Sequence, residues 1–276
     1  MSATAAPDAA GGVVLRTDNL IREFRRKRRL LARRPAPLRA VDGVSLSVAR
    51  GRTLGIVGES GCGKSTLARM MVGLLAPTAG LLEIDGVSIP ALVRRDRRAL
   101  HRRVQMVFQD PLGSLNPRRT VRQCLAAPLM ALHGMNAAAC TARIAELMDL
   151  VGLRSDFAER YPHEFSGGQS QRIGIARALA AQPEVIVLDE PVSALDVSVQ
   201  AQVLMLLAEL QARLGLTYVF ISHDLAVVES IAHEVAVMQS GRVVEYGAAE
   251  RIFAAPQHAY TRLLLSSVPR IAATEE

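Results

Sequence analysis

The chain has 276 residues, 50% of them hydrophobic, enough to fill a sizeable core and to exclude a disordered tail or a mini-protein. Its net charge of +7 is concentrated in two runs, eight basic residues between Arg22 and Arg34 and six between Arg94 and Arg103, and without them the remainder is acidic. A generic nucleic-acid surface is therefore not indicated. Three widely spaced cysteines, Cys62, Cys124 and Cys140, suggest neither a disulfide framework nor a thiolate metal site and fit a reducing compartment. No apolar stretch approaches the ~18 to 20 residues of a bilayer span, and the opening MSATAAPDAAGG lacks the plan of a signal peptide. A cytosolic chain, unless a partner recruits it, is the expectation.

Residues 1–12, rich in Ala, Gly and Pro, are expected to be a loose terminus, with order beginning near Val13 and a loop at Ala32 to Pro37. Val41 to Val48 alternates as a half-buried strand does, whereas Thr53 to Val57 is a short apolar run suited to a strand covered on both faces. The first predicts a peripheral antiparallel sheet and the second a central parallel one. STLARMMVGLL after Lys64 has helical spacing and stops near Pro77. Further buried strands are predicted at Val104 to Phe108, Val185 to Leu188, Tyr218 to Ile221 and Val235 to Met238. Between Phe108 and Val185 lie about seventy residues with helical periodicity, notably Val121 to Leu132, Ala138 to Val151 and Gly168 to Ala181, which predict an inserted helical subdomain. Strands separated by helices imply a doubly wound α/β core with ligands beyond the carboxyl ends of its strands.

Gly58-Glu59-Ser60-Gly61-Cys62-Gly63-Lys64-Ser65 fits G-x-x-x-x-G-K-[ST] between a predicted strand and a predicted helix. Glycines let successive N–H groups turn inward toward phosphate oxygens, and the helix adds the positive end of its dipole. Lys64 would reach the β- and γ-phosphates and Ser65 would ligate Mg²⁺. Val185 to Leu188 runs into Asp189 and Glu190, a buried strand opening onto charge; Asp189 is placed to hold Mg²⁺ through water and Glu190 to polarise a water for attack on the γ-phosphate. His223 ends the strand Tyr218 to Ile221 in the same manner, and Gln109 follows Val104 to Phe108, where its amide would sense Mg²⁺ and the helical insert. Ser166, with the amides of Gly167 and Gly168, opens the helix ending at Ala181 and makes a second anion site.

One chain thus carries two phosphate-binding ends, and here the sequence resembles the ABC ATPase family over nearly its whole length. The resemblance rests on GESGCGKST from Gly58 to Thr66, Gln109, FSGGQ from Phe165 to Gln169, Asp189-Glu190, SALD from Ser193 to Asp196, and His223. It implies a P-loop NTPase core of RecA type with a peripheral antiparallel β subdomain and an inserted helical subdomain at about 111–181, within a nucleotide-binding domain 13–255. It also implies ATP and Mg²⁺ as ligands, an aromatic residue stacked on adenine, for which Phe24 is the candidate, and two subunits that sandwich two ATP molecules head to tail and move membrane subunits.

SLNPR from Ser114, YPHEFSGGQ from Tyr161 and HAYTRLLL from His258 look like the oligopeptide/dipeptide importer branch, with 256–276 as its tail, and more like the second ATPase of such systems than the first. That implies a second ATPase subunit, in a heterodimer or a homodimer, two integral membrane permease subunits, an extracytoplasmic solute-binding protein, and a place at the cytoplasmic face of the inner membrane. Departures are Phe165 in place of Leu, Ser170 in place of Arg and Ala259 in place of Pro. None removes a catalytic group, but Ser170 leaves the strength of coupling through the helical insert open. No cysteine cluster ends the chain, so an iron-sulfur site is not expected. The alternatives are a soluble ABC ATPase acting on nucleic acid or the ribosome, suggested by the arginine runs, and a regulatory subunit without turnover.

Overall fold

The structure, a computed structural model, describes residues 12–24 and 37–267; the predicted loose terminus up to residue 11, the basic run from 25 to 34, the loop up to residue 36 and the tail beyond 267 lie outside the described residues. In chain order, β1 (Val13–Phe24), β2 (Leu38–Ala49), β3 (Thr53–Val57), α1 (Lys64–Met71), β4 (Ala79–Ile84) and β5 (Val87–Ser88) come first. They are followed by α2 (Ile89–Arg95), α3 (Arg97–Arg103), β6 (Val104–Val107), α4 (Pro111–Ser114), α5 (Val121–His133), α6 (Ala137–Leu150) and α7 (Gly167–Leu179). Then come β7 (Val185–Asp189), α8 (Val197–Leu214), β8 (Thr217–Ile221), α9 (Leu225–Ile231), β9 (Glu234–Gln239), β10 (Arg242–Ala248), α10 (Ala249–Ala254) and α11 (Ala259–Ser266).

Two sheets form. An antiparallel sheet has the order β2-β1-β4-β5, and a second has the order β10-β9-β3-β8-β7-β6, in which all neighbours pair in parallel except β10. Burial explains the difference. Every residue of β3, β7 and β8 is buried, as a strand covered on both faces requires, whereas β2 alternates. Within the parallel sheet successive side chains feed two cores. Ile186, Leu188, Tyr218 and Phe220 join the core beneath the helical insert, and Val185, Val187, Val219 and Ile221 join the one that contains α1 and the antiparallel sheet.

Two helices within the insert are well capped. Thr120 and Gln123 form a reciprocal capping box on α5, Asn136 caps α6, and Gly134 closes α5 in a left-handed turn. No single helix among the described residues is long and apolar enough to cross a membrane; α5 and α6 pass by composition only as a pair bent by 119°, and they bury Leu125, Leu129, Ile144 and Leu147 in the core.

Strand β3 lies against α9 with no room for a side chain at Gly55, where a Cβ would overlap Val228 and stand 3.0 Å from the Ala232 Cβ. Gly55→Ala is expected to destabilise the fold by about 1–3 kcal/mol through overpacking, measured as a lower denaturant midpoint at unchanged slope.

Candidate functional site

Four parallel strands, β3, β6, β7 and β8, deliver their carboxyl ends to one edge of the sheet, and each is followed there by a residue singled out from the sequence: the loop from Gly58, Gln109, Glu190 and His223. This is the edge at which open α/β sheets bind ligands.

The loop is shaped by backbone that only glycine adopts without strain. Gly58 and Gly63 have φ of 147° and 113°, and a Cβ at either would overlap a backbone carbonyl, that of Met238 for Gly58 and that of Ala40 for Gly63. Gly241 N–H donates to the Cys62 carbonyl at 2.8 Å, so the turn between β9 and β10 supports the loop from behind. Glu59, Ser60 and Gly61 are exposed, and Thr66 is half-buried in the first turn of α1. The Lys64 ammonium is buried and donates to the carbonyls of Gly58 at 2.6 Å and Glu59 at 2.9 Å. Cys62 is buried with its Sγ 3.9 Å from the Lys64 Nζ.

Ser65 Oγ donates to Asp189 Oδ1 at 3.0 Å. Burial pushes the Asp189 carboxyl above the usual carboxylate range; the Ser65 hydrogen bond opposes this and the neighbouring Glu190 charge adds to it. A hydroxyl and a carboxylate in such proximity are hard oxygen donors of the kind Mg²⁺ takes, so these residues fit the ion. Gln109 is instead engaged with Glu190, its Nε2 donating to Glu190 Oε2 at 3.0 Å. His223 Nδ1 stands 3.3 Å from the same oxygen. Glu190 itself has φ of 50°, uncommon for a residue with a side chain, and its N–H donates to the Ile221 carbonyl at 2.9 Å, tying β7 to β8 where the two acids diverge. Ser193 Oγ donates to the Glu190 carbonyl at 3.1 Å and closes the turn.

Ser166 caps α7 in a box with Gln169: Gln169 N–H donates to Ser166 Oγ at 3.4 Å, and Ser166 N–H donates to Gln169 Oε1 at 3.1 Å. Gly168 packs on Val199 so closely that a Cβ would overlap it, and Gly167 faces Leu195. These contacts join FSGGQ to SALD and α8 rather than to the phosphate loop of the same chain. Phe24 ends β1 opposite Leu38, two residues from the Ala40 carbonyl that meets Gly63, and Arg22 lies over its ring at 4.8 Å. Ser170 is fully buried with its hydroxyl unpartnered among the described residues.

A cavity of about 910 Å³ extends from Ser65, Gln109 and Asp189 toward the insert, where Arg177 donates to the Ser114 carbonyl at 2.5 Å. Two functional contacts escape sequence reading. Ser193 stands in sequence only as part of SALD, and Tyr260, whose hydroxyl accepts the Glu59 N–H at 3.1 Å, only as part of the tail. A buried tyrosine near a helix start carries no local signal of a partner far away in sequence.

Residues 41–193 match the family described as ABC transporter, and residues 244–276 match the C-terminal region of oligopeptide/dipeptide transporters. The chain is 52% identical over 269 residues to the oligopeptide transport ATP-binding protein OppD of Mycobacterium tuberculosis, covering 96% of this chain and 44% of that protein. It therefore spans under half the length of that relative. It is 53% identical over 262 residues to a putative peptide import ATP-binding protein of Brucella abortus, covering 93% and 77%, and 51% identical over 238 residues to the dipeptide transport ATP-binding protein DppF of Haemophilus influenzae, covering 86% and 73%. Among solved structures, the ATP-binding cassette MJ0796, a dimer in a post-hydrolysis state bound to ADP and Pi, superposes with a TM-score of 0.76 at 27% identity, covering 85% of this chain and 98% of that one. The cbiO1 protein of Clostridium perfringens, part of the ABC transporter complex cbiONQ, gives 0.75 at 28% identity, covering 88% and 91%.

Because all three cysteines are buried, maleimide labelling of Cys62 is expected to be slow, to fall further with saturating Mg-ATP, and to block nucleotide binding once complete. Labelling followed by mass spectrometry checks this; equal rates with and without nucleotide would contradict the placing of the loop at the nucleotide.

Proposed function

The chain belongs to the ABC transporter family, and on that premise we propose that it is the nucleotide-binding subunit of an importer for oligopeptides or dipeptides, hydrolysing ATP to drive movement of membrane partners. One observation carries the catalytic part of this reading: Glu190 accepts a hydrogen bond from Gln109 and sits against His223 at the strand edge where the phosphate loop also ends. The transport part is supported by the match of residues 244–276 and by the peptide-transport relatives. No finding supports the nucleic-acid alternative.

In this reading the backbone from Gly58 to Thr66 cradles the triphosphate, and the Lys64 ammonium exchanges its carbonyl partners for β- and γ-phosphate oxygens. Ser65 and Asp189 would hold Mg²⁺, with Gln109 close by; when bound, the ion supplies positive charge to the phosphate oxygens. Glu190 acts as general base toward the attacking water. Gln109 and His223 both contact its Oε2 and would hold the carboxylate in place for that role. Phe24, flanked by Arg22, is the proposed adenine platform.

Ser166, Gly167, Gly168 and Gln169 are proposed to cover the nucleotide of a second ATPase subunit. In their own chain they cap α7 and pack on α8 with Ser166 and Gly167 exposed, which supports a role toward a partner of the same kind. The proposed domain 13–255, with its insert near 111–181 and the tail 256–276, would then work with two permease subunits and, indirectly, a solute-binding protein, at the cytoplasmic face of the inner membrane. A heterodimer is the reading favoured by the second-subunit pattern of YPHEFSGGQ.

Glu190→Gln is expected to keep its affinity for Mg-ATP while losing about 10²- to 10⁴-fold in turnover, and to accumulate a dimer on ATP in size-exclusion chromatography. Undiminished turnover removes Glu190 from its role, and full-rate turnover by a strictly monomeric preparation defeats the shared-site reading.

A further inference from the structure

The tail returns to the phosphate loop. Tyr260, in the first turn of α11, is 6% exposed, and its hydroxyl accepts the backbone N–H of Glu59 at 3.1 Å. The carbonyl of that same residue accepts from the Lys64 ammonium at 2.9 Å. Glu59 therefore gives its donor to the tail and its acceptor to the lysine. The crown of the loop has little else to hold it: Glu59, Ser60 and Gly61 are exposed, and a Cβ on Gly61 would meet nothing within 4 Å. Among the described residues, the other hydrogen bonds of Glu59 stay inside the loop, from Lys64 and from the Cys62 N–H at 3.3 Å.

Tyr260 is itself seated firmly. The Glu245 carboxylate on β10 accepts the N–H groups of Gln257 at 2.8 Å and His258 at 3.0 Å. His258 Nδ1 accepts the Tyr260 N–H at 3.2 Å, and Arg262 donates to the carbonyls of Pro256 and Gln257. A line of hydrogen bonds thus runs from the edge strand of the parallel sheet, through the start of α11, to the backbone beside the lysine.

We propose that Tyr260 is a positioning residue for the phosphate loop, through which the tail holds Glu59 and Lys64 in the geometry that receives a nucleoside triphosphate. The proposal rests on the nucleotide-binding reading above and adds to it a task for the C-terminal region.

Tyr260→Phe keeps the buried ring and removes only the acceptor. In the full chain it is expected to weaken Mg-ATP binding by roughly three- to tenfold, the range of one lost hydrogen bond, with a matching rise in KM and little change in kcat. Cys62 should label faster without nucleotide, and amide exchange across residues 58–62 should accelerate. Glu245→Gln, which loosens the seat without touching the loop, should shift the same readouts in the same direction and carries the test if the first variant folds poorly. Tyr246→Phe is the control. It removes a part-buried hydroxyl that donates to the Ser47 carbonyl at 3.1 Å, and should leave nucleotide affinity unchanged. Parent-like affinity, labelling and exchange in both test variants would overturn the proposal, as would an equal loss of affinity in the control. If the parent chain itself binds no Mg-ATP, the reading of the site fails, and loop labelling and exchange still decide whether the tether exists.

Discussion

A loop of backbone amides selects phosphate only while its peptide planes stay aimed, and here the aim is imposed by backbone from elsewhere in the chain. The carbonyl of Met238 stands behind Gly58, that of Ala40 behind Gly63, and Gly241 donates to Cys62. A peptide carbonyl set in a sheet does not step aside as a flexible side chain does, which is why those two positions admit no Cβ. The same turn is fastened to the antiparallel sheet, since Asp42 N–H donates to the Gly241 carbonyl at 2.8 Å. Both sheets therefore meet at the loop.

Against that fixed cradle the two adjacent acids are given different surroundings. Asp189 is buried and paired with a hydroxyl, and desolvation pushes its carboxyl above the usual carboxylate range. Glu190 has a left-handed backbone, is half-buried, and faces an amide donor and an imidazole. In the proposed reading, sequence neighbours would serve as metal-side and water-side groups because their surroundings differ.

Much of this is legible from local pattern. Strands β3, β6, β7 and β8 are short apolar runs because both their faces are covered, and the residue that follows each lands at one edge because parallel strands share an end. The helices of the insert announce themselves by spacing and caps. Helix α8 does not figure among the predicted elements, although the Asp196 cap and the buried set Val203, Leu206, Leu207 and Leu210 have helical spacing. Strands β4 and β10 escape because their partly exposed residues lack a clean alternation. Phe24 sits at the hairpin end nearest Gly63, and its cationic neighbour Arg22 stands two residues earlier on the same strand. Contacts such as that of Tyr260 with Glu59, 201 residues apart, leave no trace in periodicity or spacing.

The supports behind the loop also set an order of events during synthesis. The strand, glycines and helix that make up the phosphate motif leave the ribosome early, yet Met238 and Gly241, which brace it, emerge roughly 175 residues later. A nascent chain halted after α7 would own the complete motif and the Ala40 support, but not those from Met238 and Gly241. Whatever binds the finished loop stabilises, by mass action, a fold in which those distant supports are already in place.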